Sequence, residues 1–306
     1  MIDVCICTHN PQVDLFQTIL QALVNQTIDR SAFQVWVIDN ASNPPIDHTA
    51  LDLLAQANIK HHLIFEPKLG IMYGRRRAIE STTGDLLLYV DDDNELAPDY
   101  LERAVEIAQN HPEIGCFGGK LLLPEYLSPP QWLRPLLPYL AIKDLGELAI
   151  SQCLESYTWA EGEPPTAGMV VRRIVLDLYL SNLSTLPPKL KLGRSGREGL
   201  LSSEDSLLAS GAYQLNLACS YQPKLKLTHH IEPRRLEFNY QLKLLFGYGC
   251  SDVLLKQAMG ITLTKKVLHS IAGKLRAWWK SERDLRYLAC HLAIDFGYIY
   301  QLNQKE

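Results

Sequence analysis

The stretch Leu86-Leu87-Leu88-Tyr89-Val90-Asp91-Asp92-Asp93-Asn94-Glu95 carries the strongest signal for the fold class of this chain. Its first half is an uninterrupted apolar run, which predicts a strand covered on both faces, as in a parallel sheet. Its second half places three carboxylates in one loop, where they repel each other unless a cation lies among them. Hard oxygen ligands of this kind suit Mg²⁺ or Mn²⁺ beside a phosphate group. The alternative is an acidic turn before a helix that Pro98 opens.

Strands and helices alternate along the N-terminal part of the chain. Four βα units in about 100 residues predict an α/β fold with a mostly parallel sheet and helices on both faces. Ligands of such sheets bind outside the carboxyl ends of the strands. We therefore expect Thr8, His9, Asn10, Asp39 and the acidic loop to gather at one edge. The other predicted strands cover residues 2–7, 33–38 and 62–65, and the predicted helices cover residues 14–26, 48–57, 71–81 and 99–109.

The rest of the chain has a different pattern. Residues 123–138 contain five prolines and predict a long irregular loop, and the glycines and basic residues of 189–199 predict a second loop. Short elements follow: a strand at 170–171, a helix at 206–211 and a strand at 218–227. Later apolar residues have helical spacing over 236–245, 253–259, 265–279 and 285–302. This organisation predicts a main α/β domain over residues 1–235, divided near residue 120, and a helical extension over 236–306.

Composition excludes several classes of protein. The 306 residues are 47% hydrophobic and 21% charged, as in ordinary globular proteins. The seven cysteines are scattered without a CxxC pair, which argues against a disulfide framework or a structural zinc site. No secretory signal and no apolar run of about 18 residues or more is present, so we expect a cytoplasmic protein. No glycine-rich phosphate loop follows the first strand, so nucleotide binding would depend on a metal and on side chains.

Charge is distributed unevenly along the chain. Residues 222–306 contain 14 basic and 7 acidic residues, a net charge of +7, whereas residues 1–221 have 16 basic and 27 acidic residues, a net charge of −11. A basic C-terminal region indicates an anionic partner, such as the inner face of a membrane. Aromatic and basic residues also cluster there, which suits a membrane interface; a helix packed on the main α/β domain is the alternative. The cluster comprises Lys274, Arg276, Trp278, Trp279 and Lys280. Nucleic acid is not expected, because the region lacks a dense basic cluster.

Six short motifs follow one another along the chain. They are residues 4–10, residues 37–42, residues 66–85 with Gly70 and Arg75, Asp91–Asp93, Gly168-Met169 with Arg172-Arg173, and Glu204-Asp205. In this order they resemble the motifs of inverting family 2 glycosyltransferases with the GT-A fold, as found in bacterial exopolysaccharide biosynthesis. The resemblance covers about residues 1–235. It departs from the usual pattern at Arg76, where asparagine is usual, and at Ala78, where glycine is usual.

The resemblance implies a role for each group of residues. Nucleotide binding falls to residues in the first three motifs and the acidic loop: Thr8, His9, Asn10, Asp39, Asn40, Gly70, Arg75, Asp91 and Asp92. Metal binding falls to Asp93 and Asp91, with His229 favoured over His230 as a further ligand. The predicted donor and acceptor pocket also includes Gly168 and Met169 of the fifth motif. Side-chain chemistry adds Trp132 and Trp159, whose rings can pack on a sugar, and Arg234, which can bind phosphate oxygens. The alternatives are core packing for the two tryptophans and surface charge for Arg234.

Glycosyl transfer requires charge neutralisation at the leaving group and a base for the acceptor. A departing diphosphate gains negative charge, which a divalent cation stabilises. The acceptor hydroxyl loses its proton as it attacks, and a carboxylate can accept that proton. Asp205, beside Glu204, is the predicted base, and one direct displacement inverts the anomeric carbon. The alternative for both acids is interaction with the dipole of the following helix.

The predicted function is a metal-dependent transfer of sugar from a nucleotide sugar, UDP-linked, to a glycan or lipid-linked acceptor. Two alternatives remain open at this point. A sugar nucleotidyltransferase would carry a glycine-rich loop with Lys or Arg after the first strand, where this chain has Thr8-His9-Asn10-Pro11. A non-catalytic scaffold of the same fold would bind nucleotide or glycan without turnover.

Overall fold

The computed structural model describes residues 1–155, 157–187, 193, 200–263, 273–274, 278–279 and 284–304. Most of the predicted basic loop at 189–199 lies outside these residues. So does most of the predicted helix at 265–279, together with Arg276 and Lys280.

One sheet contains the nine strands found among the described residues. Strands β1 to β4 alternate with helices, and β4 is buried along its whole length, as its apolar sequence predicts. The order across the sheet is β3-β2-β1-β4-β8-β6-β9-β5, and β7 pairs with β9. The strands are β1 (Ile2–Thr8), β2 (Phe33–Asn40), β3 (His61–Glu66), β4 (Leu86–Val90), β5 (Asn94–Leu96), β6 (Ile114–Leu122), β7 (Ile150–Gln152), β8 (Val170–Arg172) and β9 (Ala218–His229).

The predicted α/β fold with a mostly parallel sheet is confirmed. β1 is parallel to both β2 and β4, β2 is parallel to β3, and β6 is parallel to β9. β8 runs antiparallel between β4 and β6, and β5 and β7 run antiparallel to β9. β5 and β7 have three residues each, too few for a sequence period, and neither was predicted. The prediction also omitted β6.

Helices flank this sheet and make up most of the C-terminal region. Helix α7 corrects the prediction of two separate helical segments, because it continues through the glycines between them. The helices are α1 (Val13–Val24), α2 (Asp52–Gln56), α3 (Ile71–Ser81), α4 (Tyr100–Asn110), α5 (Arg173–Thr185), α6 (Glu204–Gln214), α7 (Phe238–Ala258) and α8 (Leu285–Asn303). None of the described helices combines the length and hydropathy needed to cross a bilayer.

The proline-rich segment is also more ordered than predicted. Gln131–Leu140 forms a 3₁₀ helix rather than an irregular loop. Trp132, Leu133, Leu136 and Leu140 are buried, and the three leucines recur at spacings of three and four residues along one apolar side. Burial of this apolar side explains why the segment is helical despite its prolines.

The chain divides into two compact units. The first comprises Met1–Pro124, Ile142–Thr185 and Leu208–His230, and the second comprises Glu125–Ala141, Leu186–Leu207 and Ile231–Glu306. The whole sheet belongs to the first unit. Helices α7 and α8 belong to the second, where they pack closely. A Cβ atom on Gly249 of α7 would lie 2.0 Å from the carbonyl oxygen of Ile294 in α8, so this contact requires glycine.

Candidate functional site

The acidic loop follows β4 and contacts the end of β1, its neighbour in the sheet. The hydroxyl of Thr8 donates a hydrogen bond to Asp92 Oδ2. The pKa of Asp92 is raised to about 7, mainly by burial. The charges of Asp93 and Asp91 also raise this pKa, whereas the hydrogen bond from Thr8 lowers it. The loop therefore resists carrying three negative charges at neutral pH, and a cation there would relieve the repulsion.

The end of β9 brings His229 to the same loop. His229 Nε2 lies 3.4 Å from Asp93 Oδ2, and the histidine is 4% exposed. The neighbouring His230 instead places its Nε2 atom 2.7 Å from Glu95 Oε2. Adjacent residues of an extended chain point to opposite sides, and at the end of β9 it is the side chain of His229 that faces the acidic loop.

Arg75 of α3 reaches the loop from a third direction. Its Nη2 atom lies 3.7 Å from Asp91 Oδ1 and donates a hydrogen bond of 2.6 Å to Thr166 Oγ1. Arg75 is 5% exposed, and its guanidinium lies 5.9 Å from the centre of the Tyr89 ring. This buried arginine therefore joins the acidic loop to the segment before β8. Sequence analysis missed Thr166; its position two residues before the Gly168-Met169 motif was the available signal.

Asp39, at the end of β2, holds the loop that follows its own strand. Its carboxylate accepts the backbone N–H groups of Ser42 at 3.0 Å and Ile46 at 2.8 Å, and Asp39 is 1% exposed. Asn10 joins the same loop, because its backbone N–H donates to Ser42 Oγ at 2.8 Å. These contacts connect the loops after β1 and β2, as their shared sheet edge predicts.

Asn40 connects the same edge to the start of α3. Its Oδ1 accepts the backbone N–H of Gly70 at 2.8 Å, and its Nδ2 donates to the Lys68 carbonyl at 2.6 Å. The His9 ring places Nδ1 2.9 Å from the Asn40 carbonyl oxygen. Gly70 has φ = 137°, a conformation that favours glycine.

The backbone of the Gly168-Met169 motif contacts β4, the strand that precedes the acidic loop. Gly168 donates its N–H to the Tyr89 carbonyl at 3.0 Å and accepts the Tyr100 hydroxyl at 2.5 Å. Met169 is fully buried, so its side chain belongs to the core. Trp159, by contrast, is 65% exposed and open to solvent.

The two candidate catalytic acids lie in the first turn of α6. Glu204 is 8% exposed, and Asp205 Oδ1 accepts its neighbour Ser206 N–H at 2.9 Å. Both carboxylates belong to the second unit, whereas the acidic loop belongs to the first.

Two other predicted pocket residues also lie in the second unit. Trp132 is 7% exposed; its ring meets that of Phe238 edge to face at 5.9 Å, and the Arg286 guanidinium lies 5.2 Å from its centre. Core packing, the alternative for this tryptophan, describes these surroundings. Arg234 is exposed and forms an ion pair with Glu232.

Few side chains of the acidic loop and its neighbours could coordinate a cation. Among the described residues, no group of three or more His, Cys, Asp or Glu side chains is arranged to hold a metal ion. Asp93 and His229 face each other, and Asp91 is held by Arg75. Magnesium sites commonly use one or two carboxylates and complete their shell with substrate phosphates and water. The side chains therefore fit a cation that shares its shell with a bound diphosphate.

Comparisons with known proteins agree with this architecture. Residues 3–121 match glycosyl transferase family 2. The glucosyl-dolichyl phosphate glucuronosyltransferase of Haloferax volcanii is 23% identical, over 98% of this chain and 96% of that protein. The succinoglycan biosynthesis protein ExoM of Rhizobium meliloti is 22% identical, over 81% of this chain and 72% of that protein.

Solved structures show the same fold. The mannosyltransferase PcManGT of Pyrobaculum calidifontis, in complex with GDP-Man and Mn²⁺, aligns with a TM-score of 0.56 and 14% identity, covering 100% of this chain and 88% of that one. TarS 1–349 of S. aureus, in complex with UDP, aligns with a TM-score of 0.50 and 17% identity, covering 98% and 90%. Residues 3–121 therefore match glycosyl transferase family 2, the chain has the GT-A fold, and these matches support glycosyltransferase activity.

Proposed function

We propose that this glycosyltransferase moves a sugar from a UDP-linked donor to a glycan or lipid-linked acceptor, with inversion and with Mn²⁺ or Mg²⁺. One observation carries the proposal. Three carboxylates at the carboxyl end of β4 meet Thr8 from β1, Arg75 from α3 and His229 from β9. Such convergence at the carboxyl edge of a sheet is typical of a ligand site in this fold class.

The nucleotide would bind along the loops after β1, β2 and β4. Asp93 and His229 would hold the cation, and Asp91 would contact the ribose or the cation. A divalent cation supplies charge neutralisation to a departing diphosphate. The TarS complex contains UDP, and the PcManGT complex contains GDP-Man and Mn²⁺, which supports a nucleotide sugar as the donor class. The remaining nucleotide contacts in the proposal are Thr8, His9, Asn10, Asp39, Asn40, Gly70, Arg75 and Asp92.

In this proposal Asp205, with Glu204 beside it, takes the proton of the acceptor hydroxyl, and Trp159, Gly168 and Arg234 keep their predicted roles in binding donor or acceptor. In this proposal the donor half covers residues 1–120, the acceptor half covers residues 121–235, and the extension covers residues 236–306. Names of the relatives mention a dolichyl phosphate and succinoglycan, which supports a lipid-linked or polysaccharide acceptor.

The same proposal places the protein in the cytoplasm, at the inner face of the membrane. The net charge of +7 in residues 222–306 supports contact with anionic lipid. Trp279, which is 62% exposed, adds an aromatic side chain suited to that interface.

The first experiment is calorimetric titration of the protein with UDP, GDP and dTDP, each with Mn²⁺ and with EDTA. We expect UDP to bind more tightly than GDP or dTDP, and we expect its affinity to be lower with EDTA than with Mn²⁺. Asp93→Asn should remove the Mn²⁺-dependent gain, whereas Asp52→Asn, on the exposed start of α2, should retain it. Hydrolysis of matching nucleotide sugars then tests turnover. Folded protein that binds no nucleotide would overturn the proposed donor site.

A further inference from the structure

Asn94 follows the three aspartates directly and begins β5. It is 0% exposed. Its Oδ1 atom accepts the backbone N–H of Asp91 at 3.1 Å, and its Nδ2 atom donates to Asp93 Oδ1 at 3.0 Å. A single buried carboxamide therefore joins both ends of the acidic loop.

The chemistry of these two contacts requires an amide. The backbone N–H of Asp91 can only donate, and the ionised carboxylate of Asp93 can only accept. The oxygen of Asn94 must therefore face Asp91, and its NH₂ group must face Asp93. An ionised aspartate at this position could keep the first bond but would meet Asp93 with a second negative charge.

This contact restricts the orientation of the Asp93 carboxylate. Asn94 holds Oδ1, while Oδ2 lies 3.4 Å from His229 Nε2. Asn94 and His229 are also paired residues of the antiparallel strands β5 and β9. The same residue therefore sets both the rotation of Asp93 and the alignment of its strand with His229.

We propose that Asn94 is a positioning residue, which holds the Asp93 carboxylate in the orientation that lets Asp93 and His229 bind one divalent cation together. This inference rests on the proposed function. Partners that orient a metal ligand commonly contribute 10–100-fold to metal affinity.

The test compares UDP affinity with Mn²⁺ and with EDTA, measured by calorimetry for the wild type and for Asn94→Leu. Leucine has a similar shape but forms no hydrogen bond. We expect the ratio of the two affinities to fall roughly tenfold or more, with the EDTA affinity unchanged. Asn94→Ser, which leaves room for water, is the second variant and should show the same loss.

Gln34→Met is the matched control. Gln34 Nε2 donates to Asp3 Oδ1 at 2.6 Å, so this variant removes another buried carboxamide-to-aspartate bond, at the opposite ends of β1 and β2. We expect a lower Tm and an unchanged affinity ratio. An unchanged affinity ratio in both Asn94 variants would overturn this inference alone. An equal fall of the affinity ratio in Gln34→Met would also overturn it. So would failure of both Asn94 variants to fold. A wild type without a Mn²⁺-dependent gain would overturn the proposed function as well.

Discussion

A Thr166→Val substitution tests whether the buried Arg75 positions Asp91 for donor binding. Valine keeps the shape of threonine but cannot accept the hydrogen bond that Arg75 donates at 2.6 Å. A hydrogen bond to a charged group contributes about 1.5–3 kcal/mol. Arg75 and Asp91 are 3.7 Å apart, where attraction between unit charges is about 4 kcal/mol at an effective dielectric constant of about 20, before desolvation. The ion pair should therefore persist while the guanidinium shifts.

We expect two measurable effects of this shift. The free energy of unfolding should fall by about 2 kcal/mol, because a buried guanidinium loses an acceptor. In a domain of this size that corresponds to a Tm lower by about 4–8 °C. Asp91 should lose its fixed orientation, and UDP affinity in Mn²⁺ should fall roughly tenfold. Thermal unfolding and calorimetric titration measure the two effects separately.

Thr82→Val is the matched control for stability. Thr82 is buried, and its hydroxyl accepts a hydrogen bond from Arg173 Nη2 at 3.0 Å. Thr82 precedes β4 in the chain, whereas the acidic loop follows β4. This variant should lose similar stability and retain UDP affinity, and Thr166→Ser, which keeps the hydroxyl, should resemble the wild type. If Thr166→Val binds UDP within about twofold of the wild type while its Tm falls, Arg75 serves packing alone and the reasoning is refuted.

Three further substitutions test other parts of the molecule. Asp205→Asn should lower sugar transfer by about 10²–10⁴-fold, with UDP affinity unchanged, because it removes the proposed base. Burial lowers the pKa of Lys143 from 10.5 to about 8, so the unfolded chain binds more protons between these pH values and stability rises with pH there. Relative to Lys143→Met, the wild type should gain at most about 3 kcal/mol in urea unfolding between pH 8 and 10.5. Gly249→Ala should lower stability by about 1–3 kcal/mol in thermal unfolding, because the new Cβ would lie 2.0 Å from the Ile294 carbonyl oxygen.

Each of these expectations has a contrary result. Asp205→Asn with normal turnover would leave the carboxylate only its interaction with the dipole of α6. Parallel pH profiles for the wild type and Lys143→Met would show that the amine is solvated. An unchanged Tm in Gly249→Ala would show that α7 and α8 can move apart without cost.

The local pattern of the sequence was sufficient for strands β1 to β4 and the helices between them. β4 is a continuous apolar run, and the runs that form β1, β2 and β3 end in polar residues. Parallel strands place such ends at one edge, and the contacts among His9, Asn40 and Gly70 lie there. Periodicity was less informative for Gln131–Leu140, whose prolines indicated a loop until burial of its apolar side was visible.

Local sequence patterns were enough to predict the α/β fold, the acidic loop and the polar strand ends, because strand pattern and chain reversal are encoded within a few neighbouring residues. Long-range packing governs which polar groups meet. Arg75 and Thr166 are 91 residues apart in the chain, and His230 and Glu95 are 135 residues apart. The pairing of β5 with β9 brings the side chain of His229, rather than that of His230, to the Asp93 carboxylate, and it pairs His229 with the buried Asn94. Such contacts depend on strand register and side-chain packing across the whole sheet, which no local pattern specifies.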